Sequence, residues 1–321
     1  MSETAISLES MRLAARQLAG IARRTPMVET VALSAVAGVP VALKCEHLQP
    51  VGAFKIRGAY TAVSRLAPDV RRLGVVTSSS GNHGLALAWV AKHFGIRCVV
   101  VMPESAPAVK SRKVTEFGGE VVFAGKLRSP EQGARAEEIA RQEGLVLVPP
   151  FDHPDIVAGQ ATCGLEIVEQ ALSLTAVLVP VGGGGLLAGV AAAVAALRPD
   201  VEVIGVEPEG APKLSAALQA GSPVELGETS SLADGLLTRS VGATPWAVIR
   251  ERVRRAVQVS DEDLRHAVRH LWHRQGLRVE PSGAASAAAL LAGKVKPAGP
   301  VVAVLSGGNV DPDLFEGLIQ S

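Results

Sequence analysis

Lys55 stands in the stretch LQPVGAFKIRGAY (residues 48–60), beside Phe54 and among Ala53, Ile56, Ala59 and Tyr60. An ammonium in apolar company loses solvation, so its pKa falls and it becomes a usable amine nucleophile. Most lysines are solvated surface charges, so this reading requires partners elsewhere in the chain. Three other stretches have residue types that could supply them. In VTSSSGNHG (76–84) an apolar run opens into Ser78, Ser79, Ser80, Gly81, Asn82 and His83 before a helical pattern begins. Helix N-terminal amides with hydroxyls beside them suit a carboxylate. A plain N-cap needs only one of those serines, and His83 alone would more often be structural. In VPVGGGGLLAGVAAAV (179–194), Gly182, Gly183, Gly184 and Gly185 leave bare backbone whose N–H groups can wrap a phosphate. In VLSGGNVD (304–311), Ser306 and Asn309 flank two glycines, which is equally an ordinary strand–turn–helix junction.

The glycine run leaves two phosphates open. Gly183, Gly185 and Ala188 also satisfy the dinucleotide pattern G-x-G-x-x-A, and Glu207 lies about where a ribose-binding acid belongs. A nicotinamide-dependent oxidoreductase is therefore a rival on that motif. Lys55 separates the two. A reactive amine, a carboxylate-binding turn and a compact phosphate cradle suit pyridoxal 5'-phosphate, whose aldehyde takes a lysine amine and whose ring is an electron sink. A dinucleotide enzyme has no evident use for Lys55.

Positioning these turns requires a strand before each. Short apolar runs at 41–46, 74–80, 97–103, 120–125, 145–150, 176–183, 202–208 and 301–308 read as strands, with helical stretches at 82–94, 106–117, 131–143, 155–171 and 185–197. Strands that are apolar throughout are buried on both faces, which indicates parallel sheets covered by helices and a doubly wound α/β fold. Ligands of such sheets bind beyond the carboxyl ends of strands, where these turns lie. From 209 to 300 strand signals thin out, although Ser260 and Gly276 bracket a helix.

With 32 basic and 31 acidic residues among 321, and 3% aromatics, nothing favours a nucleic-acid or acidic-membrane partner. Cys45, Cys98 and Cys163 lack metal-type spacing and read as small buried hydrophobes of a reducing compartment. The N-terminal stretch reads as an amphipathic helix without the apolar core of a signal peptide, and no apolar run approaches a membrane span. A cytoplasmic protein is the expectation.

On these four motifs, in this order, the chain resembles the fold-type II pyridoxal-phosphate enzymes, within the serine/threonine dehydratase and serine racemase family, from RRTPM (23–27) to SGGNVD (306–311). The resemblance implies two doubly wound domains of the tryptophan synthase β-like type: a large cofactor-binding domain of 1–64 plus 147–321, and a small mobile domain of 65–146. It implies that Lys55 holds the cofactor with Phe54 against its ring, that Asn82 meets the ring hydroxyl, that Gly182 to Gly185 bind the phosphate, and that Ser306 bonds the pyridine nitrogen. Ser79, Ser80, Asn82 and His83 would receive the substrate carboxylate. Lys55 would be the base at the α-carbon, and Ser80 matches the serine that racemases place on the opposite face. Dehydration of threonine or serine to a 2-oxo acid and ammonia is the expected reaction. A serine or hydroxyaspartate racemase, a hydroxyaspartate dehydratase, a β-replacement synthase, the oxidoreductase and a non-catalytic amino-acid sensor are the alternatives. A homodimer is expected, and the short stretch after SGGNVD implies no feedback by isoleucine.

Two departures from the family stand out. Ala53 replaces the usual serine. Many relatives hold a divalent cation through a glutamate, a carbonyl four residues on and an acid two beyond; here Glu207 and Ala211 fit, but Lys213 takes the acid's position. An ammonium there would repel a cation and neutralise Glu207, so no divalent site is expected. Glu280 would border the cofactor, and Arg128 or Arg135 could meet a second substrate carboxylate if they are not simply solvated.

Overall fold

In the computed structural model, residues 6–106, 108–126 and 130–320 are described. The strands are β1 Met27–Glu29, β2 Val41–Lys44, β3 Val75–Ser78, β4 Cys98–Met102, β5 Glu120–Phe123, β6 Val146–Leu147, β7 Ala176–Pro180, β8 Glu202–Pro208, β9 Arg255–Val259 and β10 Val301–Val304. They form a six-stranded sheet ordered β1-β2-β10-β7-β8-β9 and a four-stranded sheet ordered β5-β4-β3-β6. Every pairing is parallel except β1 with β2. The fold is α/β, with two largely parallel sheets.

The two-sided burial read from the sequence is visible residue by residue. Along β7, Val177 and Val179 enter one core with the helices Pro154–Gln170 and Gly185–Leu197, while Ala176 and Leu178 enter another with Asp261–Gln275 and Pro281–Leu291. In the small sheet, Val100 and Met102 meet the helix Asn82–Phe94, whereas Val99 and Val101 meet Glu131–Glu143. The helix Lys55–Ser64 contributes Ile56, Ala59, Ala62 and Val63 to the small sheet's core.

All eight strands expected from apolar runs are present, and two more are added. β9 was hidden because its residues alternate between half-buried and buried at the sheet's end, so RAVQV carries no continuous apolar run. β1 is a three-residue edge strand. The helix Asp261–Gln275 starts on a reciprocal capping box between Ser260 and Asp263 and stops at Gly276, whose φ of 65° favours glycine. The loops leaving β3, β6, β7 and β10 carry the candidate site. Among the described residues no helix is long and apolar enough to cross a membrane.

Candidate active site

Lys55 opens the helix Lys55–Ser64 after a turn that needs Gly52 at φ 71°. The turn is laid against the loop after β10. Ala53 bridges Gly307, the Phe54 N–H donates to the Ser306 carbonyl at 3.1 Å, and the Gly308 N–H donates to Gly52 at 2.9 Å. Half-buried Lys55 donates its Nζ to the Pro150 carbonyl at 2.6 Å and sits 5.1 Å from the Phe54 ring centroid. Burial brings its pKa down to about 8. Because only the neutral amine attacks an aldehyde, the rate at which apoenzyme takes up pyridoxal phosphate should rise with pH and level off above about 8. Stopped-flow absorbance across pH 6–10 checks this, and a rate falling through that window would contradict the assignment of the amine.

The glycine turn follows β7 and starts the helix Gly185–Leu197, whose first amides have no intrahelical acceptor. Gly184 is left-handed at φ 90°, and a Cβ on Gly183 would overlap the Phe151 ring. Phe151 follows Pro150, so consecutive residues hold the amine and brace the glycine turn. Asp152 then accepts the N–H groups of Ala243 at 3.0 Å and Thr244 at 2.7 Å, pinning this segment to the helix Ala243–Arg252. Beside the turn, the Thr238 Oγ1 is buried without a partner among the described residues, 3.9 Å from where a Cβ on Gly182 would stand. A buried hydroxyl without a partner costs about 1–3 kcal/mol. A phosphate at the helix N-terminus would accept its hydrogen bond, and pyridoxal phosphate therefore fits the residues present.

After β3, Gly81 occupies the N-cap of the helix Asn82–Phe94. The Ser79 Oγ accepts the Gly81 N–H at 3.3 Å. Asn82 donates to Glu280 at 2.5 Å and accepts from Asn309 at 2.9 Å, while Lys113 donates to the Asn309 Oδ1 at 3.1 Å. Lys110 pairs with Asp234. Burial, with Asp234 nearby, pushes the Glu280 carboxyl up to about 7. Ser306 is buried. The His83 ring turns inward, its Nε2 3.2 Å from the Val148 carbonyl; burial and the Lys55 charge bring its pKa down to about 3, so it is neutral.

Behind the amine, buried Arg57 donates to both Glu46 oxygens at 2.7 and 2.8 Å and to both Glu166 oxygens at 2.7 and 2.9 Å. Lys44 also reaches Glu166, at 2.5 Å. Such a network contributes little net stability but fixes one arrangement, here of the turn that aims Lys55.

The metal ligands suggested by the resemblance do not fit a cation. Glu207 accepts from the Leu214 N–H at 2.7 Å, the Ser215 N–H at 2.8 Å and the Ser215 hydroxyl at 2.7 Å. The Lys213 Nζ donates to Ala211 at 3.0 Å and lies 4.0 Å from Glu207, with both side chains fully buried. The same bonds leave Glu207 no reach toward a ribose beside the glycine turn. Among the described residues no group of three or more His, Cys, Asp or Glu could hold a metal.

The structure brings Lys55, Phe54, Asn82 and Ser306 into one hydrogen-bonded neighbourhood and joins Gly182 to Gly185 to it through Phe151. Arg135 pairs with Glu138 at 2.6 Å on the same helix, and Arg128 lies outside the described residues. Sequence reasoning missed Phe151, Thr238 and the Lys110–Asp234 pair.

An amine poised near pH 8 acts on carbonyl carbon, and a glycine turn braced one residue beyond its acceptor offers that partner's phosphate a helix N-terminus. The fold and the site together define an enzyme that works through pyridoxal phosphate. The family described as "Pyridoxal-phosphate dependent enzyme" matches residues 18–307. An L-threo-3-hydroxyaspartate ammonia-lyase of a Pseudomonas species is 40% identical, covering 96% of each chain. An L-threonine ammonia-lyase of Thermotoga maritima is 38% identical over 98% of this chain and 78% of its own. The solved structure of maize serine racemase is 33% identical, covers 98% of this chain and 96% of its own, and superposes with a TM-score of 0.94. The chain belongs to the pyridoxal-phosphate dependent enzymes of fold type II, in the group that contains the threonine dehydratases and serine racemases.

Proposed function

We propose that this enzyme is an ammonia-lyase that converts a β-hydroxy amino acid, with L-threonine, L-serine and L-threo-3-hydroxyaspartate as candidates, into a 2-oxo acid and ammonia. The observation that carries this reading is the half-buried Lys55 amine, held on the Pro150 carbonyl by a turn laid against the Ser306–Gly308 loop. When bound, the cofactor withdraws electrons from the substrate's α-carbon. Lys55 takes the α-proton, and the β-hydroxyl leaves with a proton as water. The resulting enamine tautomerises and is hydrolysed to the 2-oxo acid and ammonia. Ser79, Ser80 and the amides at Asn82 and His83 receive the substrate carboxylate. A hydroxyl at Ser306, rather than a carboxylate, leaves the ring nitrogen without enforced protonation, which favours prompt loss of the β-substituent.

The large unit of 1–64 with 147–321 and the small unit of 65–146 serve as the two domains, and closure between them excludes water. Three of the small sheet's four strands fall within 75–123 and the fourth, Val146–Leu147, ends one residue past the boundary, and Lys110–Asp234 would tie the two units together, which supports that division to within a residue. A homodimer in a reducing cytoplasm completes the proposal; the three buried free cysteines support the compartment.

Ser80 and the serine racemase superposition favour inversion as a second activity. The test is to supply each candidate substrate to purified holoenzyme and measure 2-oxo acid, ammonia and the D-enantiomer together. Stoichiometric 2-oxo acid and ammonia are expected, with Ser80→Ala lowering inversion more than dehydration. Accumulation of D-amino acid without 2-oxo acid would replace the lyase reading by a racemase.

A further inference from the structure

The place where relatives would ligate a divalent cation holds an ammonium. Lys213 reaches out of the first turn of the helix Lys213–Ala220 and donates to the carbonyls of Ala211 at 3.0 Å and Leu236 at 2.7 Å. It is fully buried, and so is Glu207, 4.0 Å away. At that distance the two attract as charges without a hydrogen bond. The carboxylate instead accepts the Leu214 and Ser215 N–H groups, so it also closes the N-terminus of that helix. Leu236 ends the turn Asp234–Leu236. That turn sets the Gly235 carbonyl 3.1 Å from where a Cβ on Gly182 would stand, and Thr238 with its unpartnered hydroxyl follows two residues later.

We propose that Lys213 is a built-in cation: its ammonium does the work of a bound divalent ion, tying Glu207 and the Ala211 carbonyl to the turn that braces the phosphate-binding glycines, so that folding and cofactor retention are independent of metal. The geometry is that of a held ammonium: two carbonyls accept from the Lys213 Nζ and a buried carboxylate lies beside it.

The inference is tested on holoenzyme by binding and melting, whichever amino acid proves to be the substrate. Wild type should show the same Tm in EDTA and in calcium, and no calcium binding by isothermal titration calorimetry. Lys213→Asp, which leaves a carboxylate, the Ala211 carbonyl and Glu207 around the vacated position, should bind one calcium per chain and gain about 2 °C or more of Tm at saturation. Lys213→Met keeps the stem without the charge and should release pyridoxal phosphate about tenfold more readily. Calcium binding or an EDTA-sensitive Tm in wild type would overturn the proposal. So would a folded Lys213→Asp that binds no calcium, or a Lys213→Met with unchanged cofactor affinity. If Lys213→Asp fails to fold, wild type and Lys213→Met decide the matter.

Discussion

Lys55→Ala is expected to lower turnover by about 10³-fold or more while leaving the fold intact. The substitution removes both the group that attaches the cofactor and the base at the α-carbon, and no neighbour can replace it. His83 is held neutral with its Nε2 turned to the Val148 carbonyl, and the ammonium of Lys113 is bonded to Asn309. Stability should change by no more than about 1 kcal/mol, because among the described residues Lys55 makes one hydrogen bond, to a part-buried carbonyl, and takes part in no ion pair. The check is kcat for 2-oxo acid release, together with the absorbance of the lysine-bound cofactor and a melt. Lys55→Arg should be equally inactive, since a guanidinium keeps its proton. Activity within tenfold of wild type in either variant would remove Lys55 from the chemistry.

Gly183→Ala should have the second largest effect, and it acts through packing. The added methyl would overlap the Phe151 ring, so either the ring or the glycine turn must move. Overpacking of this kind costs about 1–3 kcal/mol. The segment carrying Phe151 is pinned by the bonds from Ala243 and Thr244 to Asp152, which leaves the turn as the part that yields. Cofactor affinity should therefore fall about 10- to 100-fold, equivalent to about 1.4–2.8 kcal/mol. Adding Phe151→Ala to Gly183→Ala should recover much of that loss, a coupling that fluorescence titration of apoenzyme with pyridoxal phosphate would reveal. If Gly183→Ala binds the cofactor as wild type does, Phe151 does not set the shape of the turn.

The parts of this architecture that could be read in advance share one property: their cause is local. β4 and β7 are buried along their whole length, so CVVVM and AVLVP declare themselves. Gly184 has a backbone conformation that disfavours other residues, and Ser260 with Asp263 forms a box four residues long. What stayed hidden depends on residues far apart in the chain. Phe151 is an aromatic residue in a loop whose importance comes from lying under Gly183, and no spacing signals that. The substitution at Lys213 was visible as a departure, but its acceptor at Leu236 is a backbone oxygen with no sequence signature. Asn82 meets Glu280 across 198 residues, so neither motif hints at the other. β9 failed for a related reason, since an end strand covered on one side needs no unbroken apolar run.

The strand order also sets a timetable for synthesis. The small sheet draws its strands from one continuous stretch, Val75 to Leu147, and can assemble as soon as that stretch has left the ribosome. β2 cannot do so, because its parallel neighbour is β10, the last of the ten described strands. At bacterial or eukaryotic elongation rates of about 5–20 residues per second, β2 waits roughly 13–50 seconds for that partner. Throughout this interval the turn before Lys55 lacks the Ser306 carbonyl and the Gly307 bridge that aim the amine. A nascent chain therefore reaches the native geometry around Lys55 only after β10 has emerged.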